Sequence, residues 1–147
     1  MKILVIHGPN LNLLGKREPD IYGSDSLEQI NGLIQEHASV KDISIDFYQS
    51  NHEGDIIDRI HRAASEGPER CDALVINPGA FTHYSIAIRD AIQGTGLPAI
   101  EVHLSNLDAR EPFRQTSVIA PVCRGRITGL GYRGYLLAID ALGEIAG

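Results

Sequence analysis

Three clusters of reactive side chains in this 147-residue chain each follow a short apolar run. Gly8-Pro9-Asn10 follows residues 2–6, Asn77-Pro78-Gly79-Ala80-Phe81-Thr82-His83 follows residues 73–76, and Glu101-Val102-His103-Leu104-Ser105-Asn106 follows residues 98–100. Short runs rich in β-branched residues and closed by Gly-Pro read as strands buried on both faces. In open parallel α/β sheets, ligands bind in the crevice outside the carboxyl ends of the strands. One crevice would therefore collect an amide, two imidazoles, a carboxylate and a hydroxyl, a set suited to proton transfer on a small polar molecule.

Two of these groups form a specific pair. Glu101 and His103 are two residues apart on a predicted strand and so share a face. A carboxylate at that spacing orients an imidazole and stabilises its charged form for general acid work, although a plain structural hydrogen bond has the same spacing. Tyr22 lies in a long connection after Arg17, and Arg110 and Arg114 follow another strand end. A phenol serves as a base only if its pKa falls from about 10 to about 7 or 8, which requires roughly 3–4 kcal/mol. An exposed ion pair supplies only about 0–1 kcal/mol. A catalytic Tyr22 therefore needs guanidinium charge brought against it in a site that excludes water; otherwise Tyr22 merely packs the loop. Arg110 and Arg114 are four apart and share a face if their segment is helical.

Other chemistries fit less well. The glycines after the first strand have neither the dinucleotide G-x-G-x-x-G spacing nor the Lys-Ser/Thr of a P-loop, which leaves a flavodoxin-like nucleotide- or flavin-binding module as the alternative function. His7, His52, His61, His83 and His103 show no metal-ligand spacing, so no metal is expected. His37, His52 and His61 lie in or beside helical surfaces. Cys71 and Cys123 are too few and too distant for a disulfide framework, and they point to a reducing compartment. A formal net charge of −6 argues against nucleic-acid or anionic-membrane surfaces. No run approaches the ~20 apolar residues of a membrane span, and the expected location is the cytoplasm.

The elements that must position the crevice alternate along the chain. Strands are predicted at residues 3–6, 43–48, 73–76, 99–103 and 117–122. Between them, Ser26 three residues before Gln29 has capping-box spacing, and Leu27, Ile30, Leu33 and Ile34 follow on one helical face. Further helices are predicted over residues 56–64, 85–92 and 135–145, and Gly129-Leu130-Gly131 reads as a tight turn into the last. The alternation predicts a single α/β domain over residues 1–147, a flavodoxin-like three-layer sandwich with a five-stranded parallel sheet of order 2-1-3-4-5. The connection over residues 8–25 is long enough to serve as a lid, without structure of its own.

Along essentially its whole length the sequence resembles the type II 3-dehydroquinate dehydratases. The resemblance is carried by the motifs from Gly8 to Gly15, Arg17-Glu18-Pro19 with Tyr22-Gly23, Gln49 to Gly54, Asn77 to His83, Glu101 to Asn106, Arg110-Glu111 with Phe113-Arg114, and Gly129-Leu130-Gly131. The chain departs from the pattern at Asp108 and Pro112. The resemblance implies dehydration of 3-dehydroquinate to 3-dehydroshikimate by anti elimination through an enolate, without cofactor. It implies Tyr22 as base, with Arg17 lowering its pKa and Arg110 nearby, and Asn10 holding a water against the enolate oxygen. His103, oriented by Glu101, would protonate the leaving hydroxyl. Leu104 and Ser105 would clamp the substrate carboxylate, and Asn77, His83 and Arg114 would bind ring hydroxyls. A homo-oligomer built from trimers into a dodecamer is implied as well, with Asp90 reaching a neighbour's site. Lys2, Lys16 and Lys41 are the only lysines, and none lies inside a predicted strand, so an imine route is poorly supported.

Overall fold

A computed structural model describes residues 1–16 and 18–145 of the chain. Five parallel strands, β1 (Lys2–His7), β2 (Ser44–Gln49), β3 (Ala73–Asn77), β4 (Ala99–His103) and β5 (Gly125–Thr128), form one sheet of order β2-β1-β3-β4-β5. Val5 is in register with Phe47 and Val75, Val75 with Ile100, and Val102 with Ile127. The central strands are buried on both faces, as their unbroken apolar runs require.

Helices cover both faces. On one face α2 (Leu27–Val40) and α5 (Arg133–Ile145) pack Ile30, Ile34, Tyr135 and Ile139 against Ile3, Val5, Val75 and Val102. On the other, α3 (Glu53–Ala64) and α4 (Ile86–Thr95) pack Ile56, Ile60, Ile88 and Ile92 against Leu4, Ile6, Leu74 and Ile76. The expected capping box forms at α2: Ser26 Oγ accepts from Gln29 N at 3.2 Å, and Ser26 N donates to Gln29 Oε1 at 2.8 Å. Ser85 caps α4 through Ile88 N at 3.0 Å.

The structure corrects three expectations. The fifth strand is Gly125–Thr128 and not residues 117–122. Pro121 cannot donate to a ladder, so that apolar run instead forms a short turn of 3₁₀ helix, with Ile119 fully buried under the α3/α4 face. The connection after β1 carries structure of its own, a 3₁₀ turn at Leu11–Leu13 and the single-turn helix α1 (Pro19–Tyr22). The segment bearing Arg110 and Arg114 is not one α-helix. Pro112 holds Glu111 extended, at φ −59° and ψ 145°, and separates the short 3₁₀ turns Leu107–Ala109 and Pro112–Arg114.

Candidate active site

The carboxyl ends of β1, β3 and β4 open onto one cavity of about 690 Å³, open mouth included. Its walls carry Asn10, Tyr22, Asn77, His83, His103, Leu104, Ser105, Arg110 and Arg114. Nine of the twelve residues predicted for the site thus meet in one place. Glu101 sits directly behind His103, wholly buried. Asp90 is exposed on α4 and does not line the cavity of its own chain. Arg17 lies outside the described residues.

The loops that build the floor are interlocked. Gly8 N donates to Asn77 O at 2.7 Å, and a Cβ on Gly8 would stand 2.6 Å from the Pro78 carbonyl carbon, so the β1 and β3 loops meet only through a glycine. Asn10 takes a left-handed conformation, φ 69°, anchored by its N–H on Asn51 Oδ1 at 3.0 Å. Gln49 Nε2 binds the same oxygen at 3.1 Å. At the β4 end, Gly129 N donates to His103 O and Gly131 N to Leu104 O, confirming the tight turn. Gly129 has φ 89°, and a Cβ there would lie 3.1 Å from Asn106 Cβ.

The two candidate acid–base groups, Tyr22 and His103, lie in different settings. Tyr22 projects from α1, and its phenol oxygen accepts from Arg110 Nη1 at 2.9 Å, with the guanidinium carbon 5.2 Å from the ring centroid. Arg110 Nη1 also reaches Ser105 Oγ at 3.4 Å. Its buried Nε has no hydrogen-bond acceptor among the described residues and lies 3.9 Å from Glu111 Oε1, so the cavity wall holds a guanidinium donor to spare for an anionic ligand. Arg114 is held by Glu111 Oε2 at 2.8 Å and lies 4.9 Å from the Phe113 ring. Glu111 in turn is held below the ordinary carboxylate range, chiefly by its hydrogen bond from Arg114.

At the end of β4, His103 Nε2 donates to Glu101 Oε1 at 2.6 Å. Thr82 Oγ1 hydrogen-bonds the same oxygen, and Ser117 Oγ donates to Oε2 at 2.9 Å. Burial works to raise the Glu101 pKa, but the hydrogen bond and charge of His103, with the two hydroxyls, hold it below the usual range. His83 is fixed by Nδ1 donating to the Thr116 carbonyl at 2.8 Å.

Asn77 is fixed from behind. Its Oδ1 accepts from Gly79 N at 3.1 Å, and its Nδ2 donates to the buried Tyr135 hydroxyl at 3.1 Å. The Tyr135 hydroxyl in turn donates to His7 Nδ1 at 2.9 Å, and His7 Nε2 donates to Asn31 Oδ1 at 2.8 Å. Sequence reasoning assigned no role to Thr82, Ser117, Tyr135 or Asn31. Thr82 lies inside one of the quoted motifs, which was a usable signal; the other three reach the site from distant segments.

Neither cysteine takes part. Burial raises the Cys71 thiol and pushes Cys123 up to about 12. His37, half-buried on α2, pairs with Asp140 at 2.7 Å and lies away from the cavity. Among the described residues no three His, Cys, Asp or Glu side chains form a metal-binding group, and no helix is long and apolar enough to cross a membrane.

The family model of class II dehydroquinase matches residues 1–143. A 3-dehydroquinate dehydratase of Pelotomaculum thermopropionicum is 58% identical over 147 residues, covering 100% of this chain and 99% of that protein. One of Caldicellulosiruptor bescii is 56% identical over 144 residues, covering 98% and 97%. Among solved structures, the type II dehydroquinase of Butyrivibrio crossotus superposes with a TM-score of 0.93 at 54% identity, covering 97% of each chain. That of Propionibacterium acnes gives 0.90 at 41% identity, covering 97% of this chain and 96% of the other. With that family model spanning the strands and the loops that line the cavity, this chain belongs to the class II dehydroquinase family.

Proposed function

We propose that the chain is a single-domain lyase that dehydrates 3-dehydroquinate to 3-dehydroshikimate by anti elimination through an enolate, without cofactor. The observation that carries this reading is the pair of titratable groups lining one cavity: a phenol held by a guanidinium, and an imidazole backed by a buried carboxylate. The family assignment supports the substrate, and it gives no support to a nucleotide- or flavin-binding module.

The steps follow from the groups. A proton beside a ketone is weakly acidic, so its removal needs a base together with stabilisation of the oxygen that gains the electrons. Tyr22, as phenolate, takes the proton; Arg110, and Arg17 by family resemblance, offset the negative charge on the phenol oxygen. The C–H electron pair moves into the ring to form the enolate, whose oxygen is met by a water held by Asn10. The enolate then collapses and expels the β-hydroxyl group, which leaves as water after taking a proton from His103. The Leu104 amide, Ser105 and the donors of Arg110 receive the substrate carboxylate, while Asn77, His83 and Arg114 bind ring hydroxyls. None of Lys2, Lys16 or Lys41 lines the cavity, and no step uses an imine.

Asp90 is read as serving a neighbouring subunit in a dodecamer built from trimers. It stands on α4, exposed and off the lining of its own chain's cavity. Refolding Tyr22→Phe chains with Asp90→Asn chains should restore roughly a quarter of the sites if Asp90 acts in trans around a closed ring. No recovery from well-mixed oligomers would refute sharing. The activity itself is tested by adding 3-dehydroquinate and following the conjugated enone in the ultraviolet. Dialysis against a chelator should leave the rate unchanged, and inactivation by borohydride in the presence of substrate would overturn the enolate route.

A further inference from the structure

Glu101 is enclosed by hydrogen-bond donors. It is 0% exposed, as is Thr82, and the groups around its carboxyl are His103 Nε2, Thr82 Oγ1 and Ser117 Oγ. Ser117 Oγ already accepts from Ile119 N at 3.1 Å and Ala120 N at 2.9 Å, which occupies both its lone pairs. Its proton must therefore point outward, and Thr82, 2.8 Å away, cannot donate to it. The Thr82 proton is thus committed to Glu101 Oε1. A proton on Glu101 would face two committed hydroxyl donors and could go only to His103 Nε2, so the arrangement favours the ionised carboxyl, with His103 Nε2 donating to it.

We propose that Thr82 and Ser117 are positioning residues for the acid step: their hydroxyl protons keep the buried Glu101 ionised, and Glu101 so kept accepts from His103 Nε2 and holds the imidazole in place. The other ionisable groups near Glu101 do not substitute for them. The Cys123 thiol, from the segment entering β5, is itself raised by burial and by the Glu101 charge and stays neutral. Arg126, the register neighbour on β5, makes no ion pair with Glu101 among the described residues. His83, next to Thr82, is tied to the Thr116 carbonyl.

The kinetic side of this inference rests on the dehydratase reading; its spectroscopic side does not. Thr82→Val preserves shape and removes the proton, Thr82→Ser preserves the proton, and Ser117→Ala is the second removal should Thr82→Val not fold. In Thr82→Val the acid limb of the kcat–pH profile should move up by about one unit, since two or three such bonds to a carboxylate lower its pKa by more than about 2 units. Thr82→Ser should restore the wild-type limb. The infrared C=O band of a buried carboxylic acid, absent in a Glu101→Gln control, should likewise appear at higher pH in Thr82→Val than in wild type, with no substrate needed. A folded Thr82→Val whose limb and band match the wild type overturns the proposal, as does a Thr82→Ser variant that behaves like Thr82→Val. If wild type converts no 3-dehydroquinate, the dehydratase reading fails and the infrared titration alone decides the role of the hydroxyls.

Discussion

His7 and His103 end two strands of the same sheet, β1 and β4, and both are buried, yet they lie in opposite settings. His7 faces the α2/α5 side, where every partner is neutral: Tyr135, Asn31 and, stacked at 6.3 Å, Phe47. Burial pushes its pKa down to about 4, against a smaller upward pull from Asn31. A protonated His7 would turn both ring nitrogens into donors and leave the Tyr135 proton without an acceptor. His103 faces the α3/α4 side and meets a carboxylate that is itself saturated with donors. Two buried histidines of one sheet therefore differ in what holds them: neutral partners around His7, a carboxylate behind His103. The neutral network holds Asn77 still, and the network behind His103 is the one proposed to move a proton.

The largest effects should come from the proton-transfer groups. Tyr22→Phe and His103→Ala should each lower kcat by at least about 10²-fold, the worth of a positioned general base or acid, with binding of a substrate-like inhibitor largely kept. Retention of more than about a tenth of the rate removes that residue from its role.

Next is the acid sensitivity of the neutral network. His7 has a lower pKa folded than unfolded, so the unfolded chain binds the extra proton, and stability falls as pH drops from about 6.5 through about 4. The loss over that window should be about 3 kcal/mol, read by urea unfolding at stepped pH. His7→Gln should flatten that part of the curve; an unchanged slope would show that His7 does not cause it. Glu101, with its lowered pKa, contributes stability that is present above the ordinary carboxylate range and lost as pH falls through its own lower value.

A smaller change is expected of Tyr135→Phe, which removes one acceptor for Asn77 and one donor for His7. It should cost about 1–3 kcal/mol of stability and raise KM while leaving kcat within a few-fold. A loss confined to kcat would place Tyr135 on the chemical side of the comparison.

The division between these networks was only half legible in the sequence. Glu101 and His103 could be paired because strand alternation puts residues two apart on one face, and Gly8 and Gly129 marked close turns. His7 could not be paired, because Tyr135 and Asn31 reach it from 128 and 24 residues away. The central strands declared themselves through unbroken apolar runs. β5, an edge strand reading Gly125-Arg126-Ile127-Thr128, is only half-buried and has no such run, while the apolar residues before it serve as a plug beside α4. Pro112 in turn places Arg110 and Arg114 on the cavity wall by separate short turns, a route that four-residue spacing did not disclose.

The most direct test measures enone formation from 3-dehydroquinate, in the presence of a chelator, by wild type, Glu101→Gln and His7→Gln side by side. The account predicts undiminished turnover by wild type, a kcat loss of about 10²-fold in Glu101→Gln, and a kcat within a few-fold of wild type in His7→Gln. No enone from the wild-type protein, or equal losses in the two variants, would contradict it.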